Sequence, residues 1–363
     1  MKKIKIKSSF DWTLIIIPVI LAVAGIATLY TITPFSGRAN LAEDQFVYFL
    51  LGIVVYIVLA ILDYHFFESY TWYLYLVGFI FLLAVGVFGQ SVFGSRRWID
   101  FGFFQFQPSE LVKVALLVLS CKFFGSESGR SPGKIAAYLL FCAIPIFFIL
   151  REPDLGTALT ISFMVIAVLI AARVPRKFLI ISAALLIAAS PFVWMKLKPY
   201  QKERIASFVN PARDPLGSGY NVSQAKIAVG SGGLIGKGFG GATQSQLQFL
   251  PVAHIDFIFA GWAESTGFIG SIILVLLIGV LIWRIFSIAG QAKDRWGYIF
   301  CTAAGAVIFF QSFVNIGMNI GLMPVTGIPL PLLSYGGTSF LITSAILGIV
   351  QSIYLRRQTL KFD

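Results

Sequence analysis

The sequence predicts an all-α polytopic membrane protein: ten transmembrane helices in a single domain over residues 1–363, with a large loop between the seventh and eighth. Two observations carry this reading. Apolar residues make up 58% of the chain and charged residues 12%, whereas a soluble domain carries about a quarter charged residues. The apolar residues also fall in long runs, not at the spacing of one helix face.

The elements follow in order. Met1-Lys-Lys-Ile-Lys-Ile-Lys7 leads into an apolar run with no small-residue cleavage site, so residues 1–11 read as a tail before a retained first helix. The apolar segments cover roughly 12–32, 46–62, 70–88, 109–124, 135–150, 156–172, 177–194, 257–286, 296–320 and 339–355. The fourth is short and polar at its start; the eighth and ninth are long enough to tilt or protrude. No repeat of fixed period is evident, so an inverted-repeat transporter is not indicated.

Ten crossings return the C-terminal tail, 356–363, to the side of the N-terminus. With that side cytoplasmic, sixteen basic residues flank the crossings inside, against Arg38, Arg96, Arg97 and Arg151 outside the long loop. This asymmetry orients the chain and accounts for the net charge of +12 without nucleic acid. The loop over 195–256, with Asp256 at its end, therefore faces outward. Cys121, Cys142 and Cys301 lie in or at the ends of apolar segments and match no metal spacing.

Within the loop, residues 196–208 mix Lys196, Lys198, Lys202 and Arg204 with Leu197, Tyr200, Ile205 and Phe208, a pattern for a short surface helix. Asn210-Pro-Ala-Arg-Asp-Pro-Leu-Gly217 is turn chemistry, and 220–229 suits a second short helix. The run Gly230 to Gly241 fails as a P-loop, because Ser231 and Gly238 stand where glycine and a hydroxyl residue are needed. Gly236, Gly238 and Gly241 fit GxGxxG, but no strand precedes them. Close backbone packing near lipid or ligand headgroups explains the glycines better.

Four outward clusters hold the unusual polarity. In Gln107-Pro-Ser-Glu110-Leu-Val-Lys113, the acid and base three apart share a helix face and can pair, either structurally or at a site. In Arg151-Glu-Pro-Asp154-Leu-Gly-Thr157, Asp154 suits a helix N-cap and Arg151 suits phosphate recognition. The stretch Asn315 to Thr338 repeats proline and glycine at membrane depth, which demands broken backbone buried in protein or lining a cavity. Asp256 follows His254 by two residues and precedes Glu264 by two turns; it reads as a helix N-cap, as a costly interfacial charge with a task, or as both. Lys226 and Ser334 complete the set of candidate ligand contacts, with Glu110, Lys113, Arg151, Asp154 and Arg204. Dispersed carboxylates and two histidines argue against a transition-metal site. One outward carboxylate beside a cavity with nearby cations suits a general base acting on a phosphorylated substrate.

Several strings resemble the SEDS family (shape, elongation, division and sporulation). They are Arg151-Glu-Pro-Asp-Leu-Gly-Thr157, the loop from Asn210 to Tyr220, Gly241-Ala-Thr-Gln-Ser-Gln-Leu-Gln-Phe-Leu-Pro251, His254-Ile-Asp-Phe-Ile-Phe-Ala260 and Gly321 to Gly337. The resemblance spans essentially the whole chain, and its wording is nearer the elongation (RodA) branch than the division (FtsW) branch. It implies the ten-helix SEDS fold in the bacterial inner membrane and a peptidoglycan glycosyltransferase that polymerises lipid II. It also implies a class B penicillin-binding protein as transpeptidase partner, within an elongation complex. The family's essential aspartate matches Asp256, and its glutamate–lysine pair matches Glu110 and Lys113. In that reading Asp256 takes the proton from the acceptor 4-hydroxyl, and the oxygen displaces polyprenyl pyrophosphate with inversion. Arg151, Arg204, Lys113 or a divalent cation (Mg or Mn) are candidates to stabilise the leaving charge. The competing readings are a lipid II flippase and a scaffold that only recruits the transpeptidase.

Overall fold

The computed structural model describes residues 10–32, 41–92, 95–102, 104–126, 131–178, 218–247, 249–250 and 252–357, with scattered positions between 180 and 208. Its helices are α1 (Thr13–Ile32), α2 (Leu41–Ile61), α3 (His65–Ser69), α4 (Thr71–Phe88), α5 (Pro108–Phe124), α6 (Pro132–Arg151), α7 (Leu155–Ala171), α8 (Ser218–Ser231), α9 (Thr243–Gln246), α10 (Ile258–Gln291), α11 (Arg295–Asn319) and α12 (Gly337–Leu355). Every predicted crossing coincides with one of these except 177–194, which lies largely outside the described residues, as do both tails, most of 196–208 and the turn 210–217. Among the described residues, seven helices are long and apolar enough to cross a membrane; α5 and α7 are shorter, at 17 residues each.

Local chemistry sets the helix starts. Pro108 and Pro132 open α5 and α6, where a missing N–H costs nothing. Asp294 caps α11 by accepting from Gly297 N at 2.8 Å. Asp11, ahead of α1, accepts from Thr13 N at 3.0 Å and Leu14 N at 3.2 Å.

Burial sorts the helices into centre and rim. The apolar windows of α11 and α12 are 72% and 78% buried, against 17% for α2, whose outward face carries Phe46, Leu50, Val54 and Val58 for contact with lipid. Small residues permit the central packing: a Cβ at Gly348 would lie 2.7 Å from Tyr56 O, so α12 and α2 touch backbone to backbone there. The same crossing brings Gly52 of α2 onto the Phe340 ring.

Hydropathy did not reveal two features. Between α4 and α5 the chain forms a small antiparallel sheet of β1 (Gln90–Val92), β2 (Ser95–Asp100) and β3 (Gln105–Phe106), in that order. The long apolar run of α10 is also not one continuous helix, because Gly267 takes φ 70° and ψ −164° inside it. The broken ladder is repaired from outside: Phe268 N donates to Gly233 O at 2.8 Å and Ile269 N to Leu234 O at 3.1 Å.

At the bundle end away from the loop, Arg284 near the close of α10 pairs with Asp11. Nearby, His65 lies 2.9 Å from both Asp63 and Asp294, and Tyr64 donates to Asp294 at 2.6 Å. Burial pushes the Asp63 carboxyl up, but hydrogen bonds from His65 and the charge of Arg356 outweigh it and hold its pKa below the ordinary value.

Candidate active site

At the other end, Asp256 sits in a turn over 252–257, half-buried and immediately before α10. Val252 enters the turn at φ 55°, an unfavourable conformation for a β-branched residue. Three successive carbonyls of this turn are gripped by other segments. His254 O accepts from Tyr335 N at 2.9 Å, and Ile255 O accepts from Ser334 Oγ at 2.7 Å. Asp256 O accepts from Asn315 Nδ2 at 3.0 Å and from Asn319 Nδ2 at 3.1 Å.

The reading of Asp256 as the helix cap needs correction. The N-cap is Phe257, which offers no capping side chain. From α11, Asn319 Oδ1 accepts from Ala260 N of the first turn at 3.0 Å. Ser334 is a clamp in the same assembly, since its hydroxyl also accepts from Leu330 N at 2.8 Å. The segment between α11 and α12 is irregular, as its prolines and glycines demand, and it reaches deep into the bundle. A Cβ on Gly25, in the middle of α1, would collide with Leu333 O.

The first and second clusters meet at the start of α5. Lys113 Nζ lies 2.7 Å from Glu110 Oε1, with side chains 3% and 2% exposed, while Glu110 Oε2 is buried without a hydrogen-bond partner among the described residues. A buried pair left partly unsatisfied is costly unless ligand or water completes it. Asp154 caps α7 as expected, accepting from Thr157 N at 3.1 Å and Thr157 Oγ1 at 2.9 Å. It also accepts from Gln107 Nε2 at 3.1 Å, which ties the two clusters together. Both reach the third cluster: Gln107 N donates to Thr338 Oγ1 at 3.2 Å, and a Cβ on Gly156 would lie 2.7 Å from Ile328 Cγ1.

The cations of this end lie on separate elements. Arg151 is exposed, its guanidinium 5.5 Å over the Phe147 ring. Arg97 of β2 occupies the 152–154 turn. It donates from Nε to Glu152 O at 3.2 Å and from Nη2 to Pro153 O, and lies 3.8 Å from Asp154 Oδ1. Burial, with the Asp154 charge adding to it against Arg97, raises the Glu152 pKa to about 8. Lys226 is exposed on α8, its side chain filling the place a Cβ on Gly321 would take, so it joins the third cluster. Arg204 lies outside the described residues.

Glu264 is a structural hub. Fully buried, it accepts from Lys237 Nζ at 2.9 Å, Gln244 N at 3.0 Å, Ser245 N at 3.0 Å and Ser245 Oγ at 2.9 Å. The glycine run packs on α10 itself: a Cβ on Gly232 would strike Ala263 O, and one on Gly236 would strike Ser265 O. Four residues carry more of this architecture than sequence reasoning assigned them: Arg97, Lys237, Asn315 and Asn319. The asparagines did leave a signal, two amides one turn apart in an apolar helix. Arg97 and Lys237 left none, because their partners are distant in sequence.

Comparison with known proteins agrees with this architecture. A family model described as "Cell cycle protein", FTSW_RODA_SPOVE, matches residues 8–359. The chain is 39% identical over 315 residues to the Escherichia coli (strain K12) "Peptidoglycan glycosyltransferase MrdB", covering 85% of this chain and 84% of the relative. It is 34% identical over 362 residues to the Bacillus subtilis "Stage V sporulation protein E", covering 96% and 97%. Among solved structures, a chain from "Structural coordination of polymerization and crosslinking by a peptidoglycan synthase complex" superposes with a TM-score of 0.81 at 30% identity, covering 95% of this chain and 98% of that one. The Thermus thermophilus "Rod shape determining protein RodA" gives 0.73 at 27% identity, covering 97% and 99%.

Proposed function

The chain belongs to the FtsW/RodA/SpoVE family, the SEDS proteins, and from that membership we propose that it is the peptidoglycan glycosyltransferase that polymerises lipid II for cell elongation, with Asp256 as general base. It is a multi-pass membrane protein with bacterial relatives. In the orientation that the basic residues favour, both tails are cytoplasmic and the Asp256 end faces outward, where lipid II presents its sugars.

The observation that supports this reading best is the grip on the Asp256 turn. Three adjacent carbonyls are held by Tyr335, Ser334, Asn315 and Asn319, which fixes the backbone that carries the 256 side chain. Preorganisation of this kind is what proton abstraction requires of a base. Asp256 takes the 4-hydroxyl proton of the acceptor sugar. The freed electron pair attacks C1 of the muramyl sugar on the growing chain, and polyprenyl pyrophosphate departs with the bonding pair. Direct displacement inverts the anomeric centre, converting an α-linked donor to a β-linked glycan.

Pyrophosphate is a good leaving group, so it needs charge stabilisation more than a proton. Lys226 and Arg151 are exposed cations suited to that task, and Arg204 remains a candidate. Lys113 is compensated by Glu110, so the pair is better suited to hydrogen-bonding a ligand at Glu110 Oε2 than to supplying net charge. Among the described residues no cluster of three or more His, Cys, Asp or Glu could hold a metal ion. No step above runs through magnesium or manganese.

A class B penicillin-binding protein is the proposed transpeptidase partner within the elongation complex, and the long segments α10 and α11 are its proposed contact. The deciding experiment reconstitutes the chain with that partner in vesicles and supplies labelled lipid II. Polymer is the expected product; lipid II that scrambles between leaflets without polymerising would assign a flippase instead.

A further inference from the structure

We infer that Asn315 and Asn319 are positioning residues for the Asp256 carboxylate; the inference rests on the reading of Asp256 as the base. The two amides lie one turn apart at the end of α11, on one face and fully buried. A primary amide carries two N–H donors, and both nitrogens here use both. Asn315 Nδ2 donates to Asp256 O at 3.0 Å and to Ile328 O at 2.7 Å. Asn319 Nδ2 donates to Asp256 O at 3.1 Å and to Asn315 O at 2.8 Å. Asn319 Oδ1 accepts from Ala260 N at 3.0 Å.

This network permits one orientation of Asn319. Flipped, its NH2 would face the Ala260 N–H, donor against donor, and its oxygen would face the carbonyls of Asp256 and Asn315. The pair thus joins residue 256, the first turn of α10 and Ile328 of the irregular segment into one unit. Two N–H donors on one carbonyl fix the plane of the peptide that follows Cα of Asp256. With the Ile255 carbonyl held by Ser334 and the His254 carbonyl by Tyr335, both peptide planes flanking Asp256 are set from outside its own helix. Fixing both planes fixes the Cα–Cβ direction, the base from which the carboxylate reaches toward the acceptor hydroxyl.

An isosteric change isolates this role. Asn319→Asp keeps an acceptor for Ala260 N but turns an acceptor on the Asp256 and Asn315 carbonyls; Asn315→Asp does the same against Asp256 O and Ile328 O. Each variant, purified with the partner and assayed on lipid II, is expected to lose about 10- to 100-fold in kcat, the scale of a misplaced catalytic group. KM should stay within about twofold, since the loss falls on the transition state. In an Asp256→Asn background the same substitution should change the residual rate by less than about twofold, because a missing base cannot be misplaced. Thermal unfolding of every variant monitors the fold, and Asn319→Ala carries the test if an aspartate variant does not assemble.

Wild-type kcat in both single variants would overturn the inference. So would an equal fold-loss in the Asp256→Asn background, the mark of general packing damage. Wild-type polymerisation by Asp256→Asn alone would remove the base assignment itself, and this inference with it.

Discussion

Replacing Glu264 with glutamine should loosen the loop that covers the start of α10. The carboxylate is 0% exposed and meets four donors: Lys237 Nζ, Gln244 N, Ser245 N and Ser245 Oγ. A glutamine has one acceptor oxygen. Its better orientation keeps that oxygen toward Lys237 and Gln244 and turns its NH2 toward Ser245. The Ser245 hydroxyl can rotate to accept, but the backbone N–H of Ser245 is stranded. One buried unsatisfied N–H and one weakened charge-assisted bond together cost about 2–4 kcal/mol. That corresponds to roughly a 30- to 700-fold shift in the local opening equilibrium. Hydrogen exchange on the protein in nanodiscs reads this directly, through amides at 243–247. Exchange there should accelerate by that factor, while the core of α11 and α12 keeps its protection. Unchanged exchange at 243–247 would refute the view that Glu264 anchors this loop.

Two further perturbations test other parts of the account. The Glu152 pKa, raised to about 8 by burial with Asp154 beside it, implies that folding stability falls as pH rises from the unfolded carboxyl value toward 8, because the unfolded chain releases that proton first. Glu152→Gln should therefore match wild type in thermal unfolding near pH 5 and exceed it near pH 9; equal melting at both would contradict the burial argument. Gly232→Ala drives a methyl group into Ala263 O, so the glycine run should separate from α10, measured as proteolytic nicking between 230 and 241 that wild type resists. An intact loop in that variant would mean the close approach is dispensable.

Much of the fold is legible in composition, because a bilayer crossing leaves a one-dimensional signal. The runs now seen as α1, α2, α4, α11 and α12 are uninterrupted, and the Asp154 cap is written in its own turn. What escapes is any relation between segments. The break in α10 is invisible in an apolar run, since Gly267 becomes a break only because Gly233 and Leu234 supply the missing acceptors. The clustering of polar motifs at one end was legible, but not which residue holds which. Arg97 of β2 grips the 152–154 turn, and Asn319 of α11 reaches into the first turn of α10. The glycine run reads as close backbone packing, and it packs on α10, a partner that its own sequence does not name.

The most direct test of the central claim is the rate at which the chain, assembled with the proposed transpeptidase partner, polymerises lipid II when Asp256 is replaced by asparagine. The swap preserves size and leaves the main-chain grip of Asn315, Asn319, Ser334 and Tyr335 in place, so binding and fold should persist while the base is lost. The account predicts a fall of about 10²- to 10⁴-fold in kcat, the usual contribution of a positioned general base. Polymerisation by Asp256→Asn within twofold of wild type would contradict it.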